Sequence, residues 1–174
     1  MAKTTPRDSQ KQRLYHAQRL ANIYQSVDNA MTLKESQKFV NKVISHQGTR
    51  KLYEKYKFTF DNYPAEIIVE SSSGSHATMR FRGNGIVRLI RLNTFGRNKF
   101  TILHEIAHHL TWGREAHGPE FADTLISLVS KYLGKDEATK LKNAFNEKRV
   151  KVMTKSGKAR VPRKQEISSA KLVA

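Results

Sequence analysis

Residues 104–121, HEIAHHLTWGREAHGPEF, hold four of the chain's seven histidines, and the spacing of the first two constrains the fold more than any other feature. His104 and His108 stand four apart inside a run, 99–112, in which Leu103, Ile106, Ala107 and Leu110 recur at helical steps. Read as a helix, the run gives the core an apolar stripe and sets both imidazoles one turn apart on an adjoining face. Gly113 is a natural stop. Pro119 suits the first turn of a further helix, which runs through Phe121, Leu125, Leu128, Val129 and Tyr132 to a Leu133-Gly134 end.

His104, Glu105 and His108 together form HExxH, in which two imidazoles reach one ion while the glutamate beside them is free to accept a proton. With seven histidines and ten glutamates in 174 residues, such a match arises by chance in only about one or two per cent of chains. The chain has no cysteine, so a metal must be held by histidine, aspartate or glutamate, and a disulfide framework is excluded. His117 follows where the helix has ended and the chain can turn back, which makes it the third candidate ligand. Three protein ligands with one open position are what a catalytic zinc requires. His104, His108 and His117 as ligands with Glu105 as general base therefore point to hydrolysis, and to an amide bond first. The motif fixes metal and base but not the bond, so another hydrolase stays open. So does a nucleic-acid-binding or structural protein that keeps a metal for stability. Zinc follows from ligand type, and manganese, iron or cobalt suit three imidazoles as well.

Other residues nearby have plainer expectations. His109 points about 100° around the helix from His108 and is expected behind the ligands or on the surface. His16, His46 and His76 are isolated, as ordinary surface or helix histidines are. Trp112 is expected to close a core edge, and Glu120 to complement the positive end of its helix. Arg114 and His109 are near enough in sequence to be candidates for stabilising the tetrahedral oxyanion.

The flanking sequence frames this centre. Leu14, Ala17, Leu20, Ala21 and Tyr24 mark an amphipathic helix from about 9 to 26. Thr32 with Glu35 is a capping-box pair opening a second helix that presents Phe39, Val40, Val43 and Ile44, with KLYEKYKF continuing or restarting it. From residue 58 the period changes to short β-branched and aromatic runs, broken by Pro64, SSSGS and Asn84-Gly85. A three-stranded meander is expected near 66–70, 77–82 and 86–92, with Met79 and Phe81 on one side and Arg80 and Arg82 on the other. One more short helix follows in KDEATKLKNAFNEKRVKV. The expectation is one domain: a basic helical region 1–57 packed on a core 58–147, then a basic tail 148–174, disordered in isolation.

Charge decides the partners. Thirty-two Lys and Arg against 15 Asp and Glu leave +17, far more than solubility requires, so a polyanion is expected: DNA, RNA or an acidic protein. Candidate nucleic-acid contacts are Arg80 and Arg82 in the strands and Lys148, Arg149, Lys151, Lys155, Lys158, Arg160, Arg163 and Lys164 in the tail. No run of about 18 apolar residues exists, and MAKTTPRDSQ leads into polar helix rather than an apolar leader. A soluble protein in the cytoplasm, associated with the nucleoid or other nucleic acid and not with a membrane, is the expectation.

HEIAHHL followed by HGPEF resembles the SprT-like zinc metallopeptidases, the group that includes Spartan-type DNA–protein crosslink proteases. The resemblance covers about residues 99–132. It implies a zincin-like α+β fold with a small antiparallel or mixed sheet beside the active helix, one Zn2+ per chain on His104, His108 and His117, Glu105 as base, and an edge strand that binds substrate backbone. Two differences are plain: the spacer from His108 to His117 is short, and no cysteine zinc ribbon follows. RNKFTILHEIAHHL is similar also to the ImmA/IrrE peptidases, which cleave repressor-like regulators and whose third ligand is usually a downstream acidic residue; HGPEF favours the first family.

Overall fold

A computed structural model describes residues 8–23, 30–56, 63–64, 66–82, 85–154 and 156–165, without the side chains of 80–82, 85 and 86. The fold is α+β. Six helices occur among the described residues: α1 (Lys11–Ala21), α2 (Leu33–Ile44), α3 (Gln47–Tyr56), α4 (Lys99–Leu110), α5 (Pro119–Tyr132) and α6 (Lys135–Glu147). A sheet of β1 (Ile67–Ser71), β2 (His76–Arg82) and β3 (Gly85–Leu92) lies between α3 and α4 in sequence, and a small pair, β4 (Val152–Met153) and β5 (Ala159–Arg160), ends the described chain. None of these helices is long and apolar enough to cross a membrane.

Helix α4 is the axis. Asn98 caps it by accepting a hydrogen bond from the Thr101 N–H at 2.8 Å. Nine of its twelve residues are buried, Phe100, Ile102, Leu103, Ile106, Ala107 and Leu110 among them. A helix buried on nearly every side belongs in the interior, and α4 touches α5, α2, α3, β2 and β3. Helix α5 in turn packs on α6, and α6 on α1. Leu14 and Ala17 of α1 are fully buried in the same core. The capping box at Thr32 is present, with Thr32 accepting from the Glu35 N–H and Glu35 accepting from the Thr32 N–H.

The sheet departs from the expected meander. Its order is β1-β3-β2, with β1 parallel and β2 antiparallel to β3. Burial explains the order. Leu89, Ile90, Leu92 and even Arg88 of β3 are buried, so this strand has covered faces on both sides and takes the centre. His76, Thr78, Arg80 and Arg82 make β2 polar, which suits an edge. The turn at Asn84 lies partly outside the described residues, as do the expected ends of α1 and α3.

The basic tail is ordered where it is described. Val150 and Val152 join the core, β4 packs on α5, and Asn143 and Asn146 of α6 hydrogen-bond Gln165 and Pro162. Residues 148–154 and 156–165, expected to be disordered in isolation, are held against the rest of the fold by two buried valines and backbone hydrogen bonds. Residues 166–174 lie outside the described chain.

Candidate metal centre

Helix α4 and the turn that follows bring His104, His108 and His117 together, with one ligand nitrogen of each within 4.8 Å of the others. His104 and His108 come one helical turn apart, as their spacing requires, and their Nε2 atoms are 3.2 Å apart. Two nitrogens sharing one tetrahedral ion at about 2.05 Å would stand about 3.3 Å apart. The turn 111–118 delivers His117. Gly113 adopts φ +86, open to glycine and strained for other residues. At Gly118 a Cβ would come within 2.8 Å of the Glu115 Cβ, so the tight passage into α5 needs a residue without one. Phe121 of α5, fully buried, floors the site with its ring 4.9, 4.4 and 5.2 Å from the rings of His104, His108 and His117.

The donor set fits a divalent cation. The Nε2 atom of His117 is buried and without a hydrogen-bond partner, while its Nδ1 lies 2.7 Å from Asp8 Oδ2. His104 Nδ1 lies 2.9 Å from the side-chain amide of Gln18, and His108 is bonded to the backbone of Ala116. Burial pushes His104 down to about 3, with His117 adding to the effect. Burial first, and then its histidine neighbours, also lowers His108 well below its usual value. Neutral imidazoles whose other nitrogen is fixed are what a metal requires of histidine.

Glu105 is only 4% exposed. Burial raises its carboxyl to about 8, opposed by a hydrogen bond from the backbone of Ala77 in β2. It lines two adjoining clefts: one of about 540 Å³ with Tyr15, Gln18, Ser75, Phe95 and His104, the other of about 370 Å³ with Tyr15, His76, His108, Trp112, Arg114 and His117. The two share Tyr15, Ser75 and Glu105, so together they form a groove with the carboxylate at its middle, and His76 and Ala77 of β2 line its second half.

Of the other sequence candidates, His109 is not on the surface. It is fully buried with Nε2 3.0 Å from the Leu89 carbonyl, its own carbonyl accepts from Arg88 Nη1, and burial lowers it to about 4. It ties α4 to β3 and does not face the groove. Trp112, 36% exposed, stacks on His109 at 6.0 Å. Arg114 lines the groove and donates from Nε to the Tyr56 carbonyl. His16, His46 and His76 are all exposed, the last of them on the groove wall. Among the basic residues, Lys148 pairs with Glu147 at 2.8 Å. Arg149, Lys151, Lys158, Arg160, Arg163 and Lys164 are exposed, and Lys155 and the side chains of Arg80 and Arg82 lie outside the described part.

Three contributors carry no sequence signal. Asp8, Tyr15 and Gln18 reach the centre from the N-terminal segment, 86 or more residues from the ligands they touch. The Tyr15 ring stacks against His104 at 5.8 Å and lies 5.1 Å from His117. Burial, then the charges of Glu105 and Asp8, raise its hydroxyl above the usual tyrosine range.

No family model matches the chain, and neither does a curated protein or a solved structure.

Proposed function

We propose that the protein is a zinc-dependent metallopeptidase of SprT-like type that hydrolyses peptide bonds in extended, nucleic-acid-associated polypeptides. The observation that carries this reading is the position of Glu105, a buried carboxylate beside three convergent imidazoles and at the midpoint of an open groove. His104, His108 and His117 hold the ion, which when bound supplies Lewis acidity toward a carbonyl and a water. Only these three residues cluster as ligands among the described residues, and three leave the open position that a purely structural centre would fill.

The remaining roles belong to the chain's own groups. Glu105, which a cation on the neighbouring imidazoles would favour in its ionised form, takes the proton of the attacking water and returns it to the departing amine. The Tyr15 hydroxyl, at the junction of the two clefts, donates to the oxygen on which negative charge develops. Edge strand β2 binds the substrate backbone. In an antiparallel pair, alternate residues turn their N–H and C=O outward. The Ala77 N–H turns toward Glu105, so Met79 is next in line to pair with an extended chain. A compact protein cannot offer that strand, so flexible segments are selected. The +17 charge concentrates the enzyme on nucleic acid, where such proteins are displayed.

The test is zinc content measured beside cleavage of an unfolded polypeptide, with and without DNA. About one zinc per chain, with cleavage lost on chelation and restored by zinc, is the expected result. Bound zinc without cleavage of any unfolded substrate would contradict the peptidase reading.

A further inference from the structure

The ligands come from α4 and the turn after it, yet the partners of their second nitrogens come from the other end of the chain. Asp8 meets His117 Nδ1 and Gln18 meets His104 Nδ1, while Tyr15 covers both rings. This segment is firmly placed. Ser9 donates its N–H and hydroxyl to Glu115, each at 2.6 Å. Gln10 both donates to and accepts from the backbone of Lys151, and Gln18 is 1% exposed. The N-terminal segment is thus a built wall of the centre.

A neutral imidazole carries one proton on two nitrogens, and Nε2 can bind a cation only when the proton is on Nδ1. Asp8, a carboxylate, accepts from Nδ1–H and so keeps His117 Nε2 bare, in line with the partnerless Nε2 found there. Gln18 differs in kind, because an amide either donates through nitrogen or accepts through oxygen. Its nitrogen lies 2.9 Å from His104 Nδ1, and His104 Nε2 lies 3.2 Å from His108 Nε2. With the amide nitrogen donating there, the His104 proton belongs on Nε2, facing His108. To free both Nε2 atoms, the proton must move through solvent to His104 Nδ1 and the amide must turn its oxygen toward it. The number of protons is unchanged.

Resting on the reading of this cluster as a metal centre, we propose that Asp8 and Gln18 are its positioning residues. Asp8 locks His117 in the cation-binding tautomer, and Gln18 is the reversible partner that lets His104 change tautomer as the ion enters.

The test uses the full chain and zinc itself. Zinc affinity is measured by competition with a chromogenic chelator for the native protein, Asp8→Ala, Gln18→Leu and Gln18→Glu. Histidine tautomers of the native protein are read from 15N spectra before and after zinc. The expected result is a loss of about 10- to 100-fold in affinity for Asp8→Ala and Gln18→Leu. Gln18→Glu, which keeps an acceptor for Nδ1–H, should recover most of it. His104 should pass from the Nε2–H to the Nδ1–H form. A merely structural role would lower zinc-free stability without rescue by Gln18→Glu. Unchanged affinity in Asp8→Ala and Gln18→Leu, or a His104 already in the Nδ1–H form without zinc, would overturn the proposal while leaving the metal centre standing. A native chain that binds no zinc would overturn both. The tautomer measurement needs no variant and so does not depend on one folding.

Discussion

Tyr15 lines both clefts, and if its hydroxyl is the oxyanion donor its effect should appear in turnover rather than in binding. Tyr15→Phe keeps the ring against His104 and His117 and removes only the donor. Loss of one such donor costs on the order of 100-fold in kcat, so kcat should fall by about that factor with KM and zinc content little changed. An equal loss in KM alone would assign Tyr15 to substrate binding. The buried histidines make a second prediction, for the chelated protein. His104, His108 and His109 are all held below the ordinary value of 6.5, so the unfolded chain binds more protons below that pH. Their stabilising contribution is complete above 6.5 and is lost as pH falls, toward about 3 for His104 and about 4 for His109. Glu105 has the opposite sign: raised from 4.5 to about 8, it contributes fully below 4.5 and the contribution is lost as pH rises to about 8. Each group is worth about 1.4 kcal/mol per pH unit within its window, and three outweigh one. Melting temperature should therefore peak near pH 6.5 and fall steeply on the acid side; a flat profile from pH 7 to 5 would contradict buried neutral imidazoles. At this scale the pairing of His104 with His108, and Glu105 beside them, was legible because HExxH is a local helical spacing. Asp8, Tyr15 and Gln18 were not, because a contact spanning 86 to 109 residues leaves no periodic trace.

Strand β2 carries the prediction that belongs to the elements. The Met79 N–H faces away from β3 in the alternation set by Ala77, and proline is tolerated at an edge position whose N–H is turned outward. Met79→Pro should leave melting temperature and zinc content near native. It should raise KM for an extended polypeptide about tenfold, the equivalent of one hydrogen bond of about 1.4 kcal/mol. No change in KM would mean that substrate does not pair with this edge. The helices were readable from their 3.6-residue periods and caps, and α2, α4 and α5 fall within two or three residues of expectation. Pairing across the sheet was not readable. Periodicity shows which face of a strand is buried, but only the buried residues on both sides of β3 decide that it lies between the other two.

Over the whole molecule, part of the +17 charge falls on exposed residues that follow α6. Gln10 fastens the segment carrying Asp8 to Lys151, and Arg13 donates to the Arg149 carbonyl, so Lys151 and Arg149, both exposed, stand beside the N-terminal segment. Replacing Lys158, Arg160, Arg163 and Lys164 by alanine should weaken DNA binding at least tenfold and reduce its log–log salt slope by about 3 to 4, with cleavage of free polypeptide unaffected. Equal DNA affinity would place the polyanion surface elsewhere. Composition gave no sign of how these residues pack, because the two valines that anchor them are sparse in a basic stretch.

The central claim is that Glu105 is a catalytic base beside a metal held by three histidines. Its most direct test is Glu105→Gln, with zinc content and cleavage of an unfolded polypeptide measured on the same preparation. The account predicts about one zinc per chain in both proteins, with cleavage in the native one and at least a hundredfold less in the variant. Cleavage at the native rate by a zinc-loaded variant would contradict it.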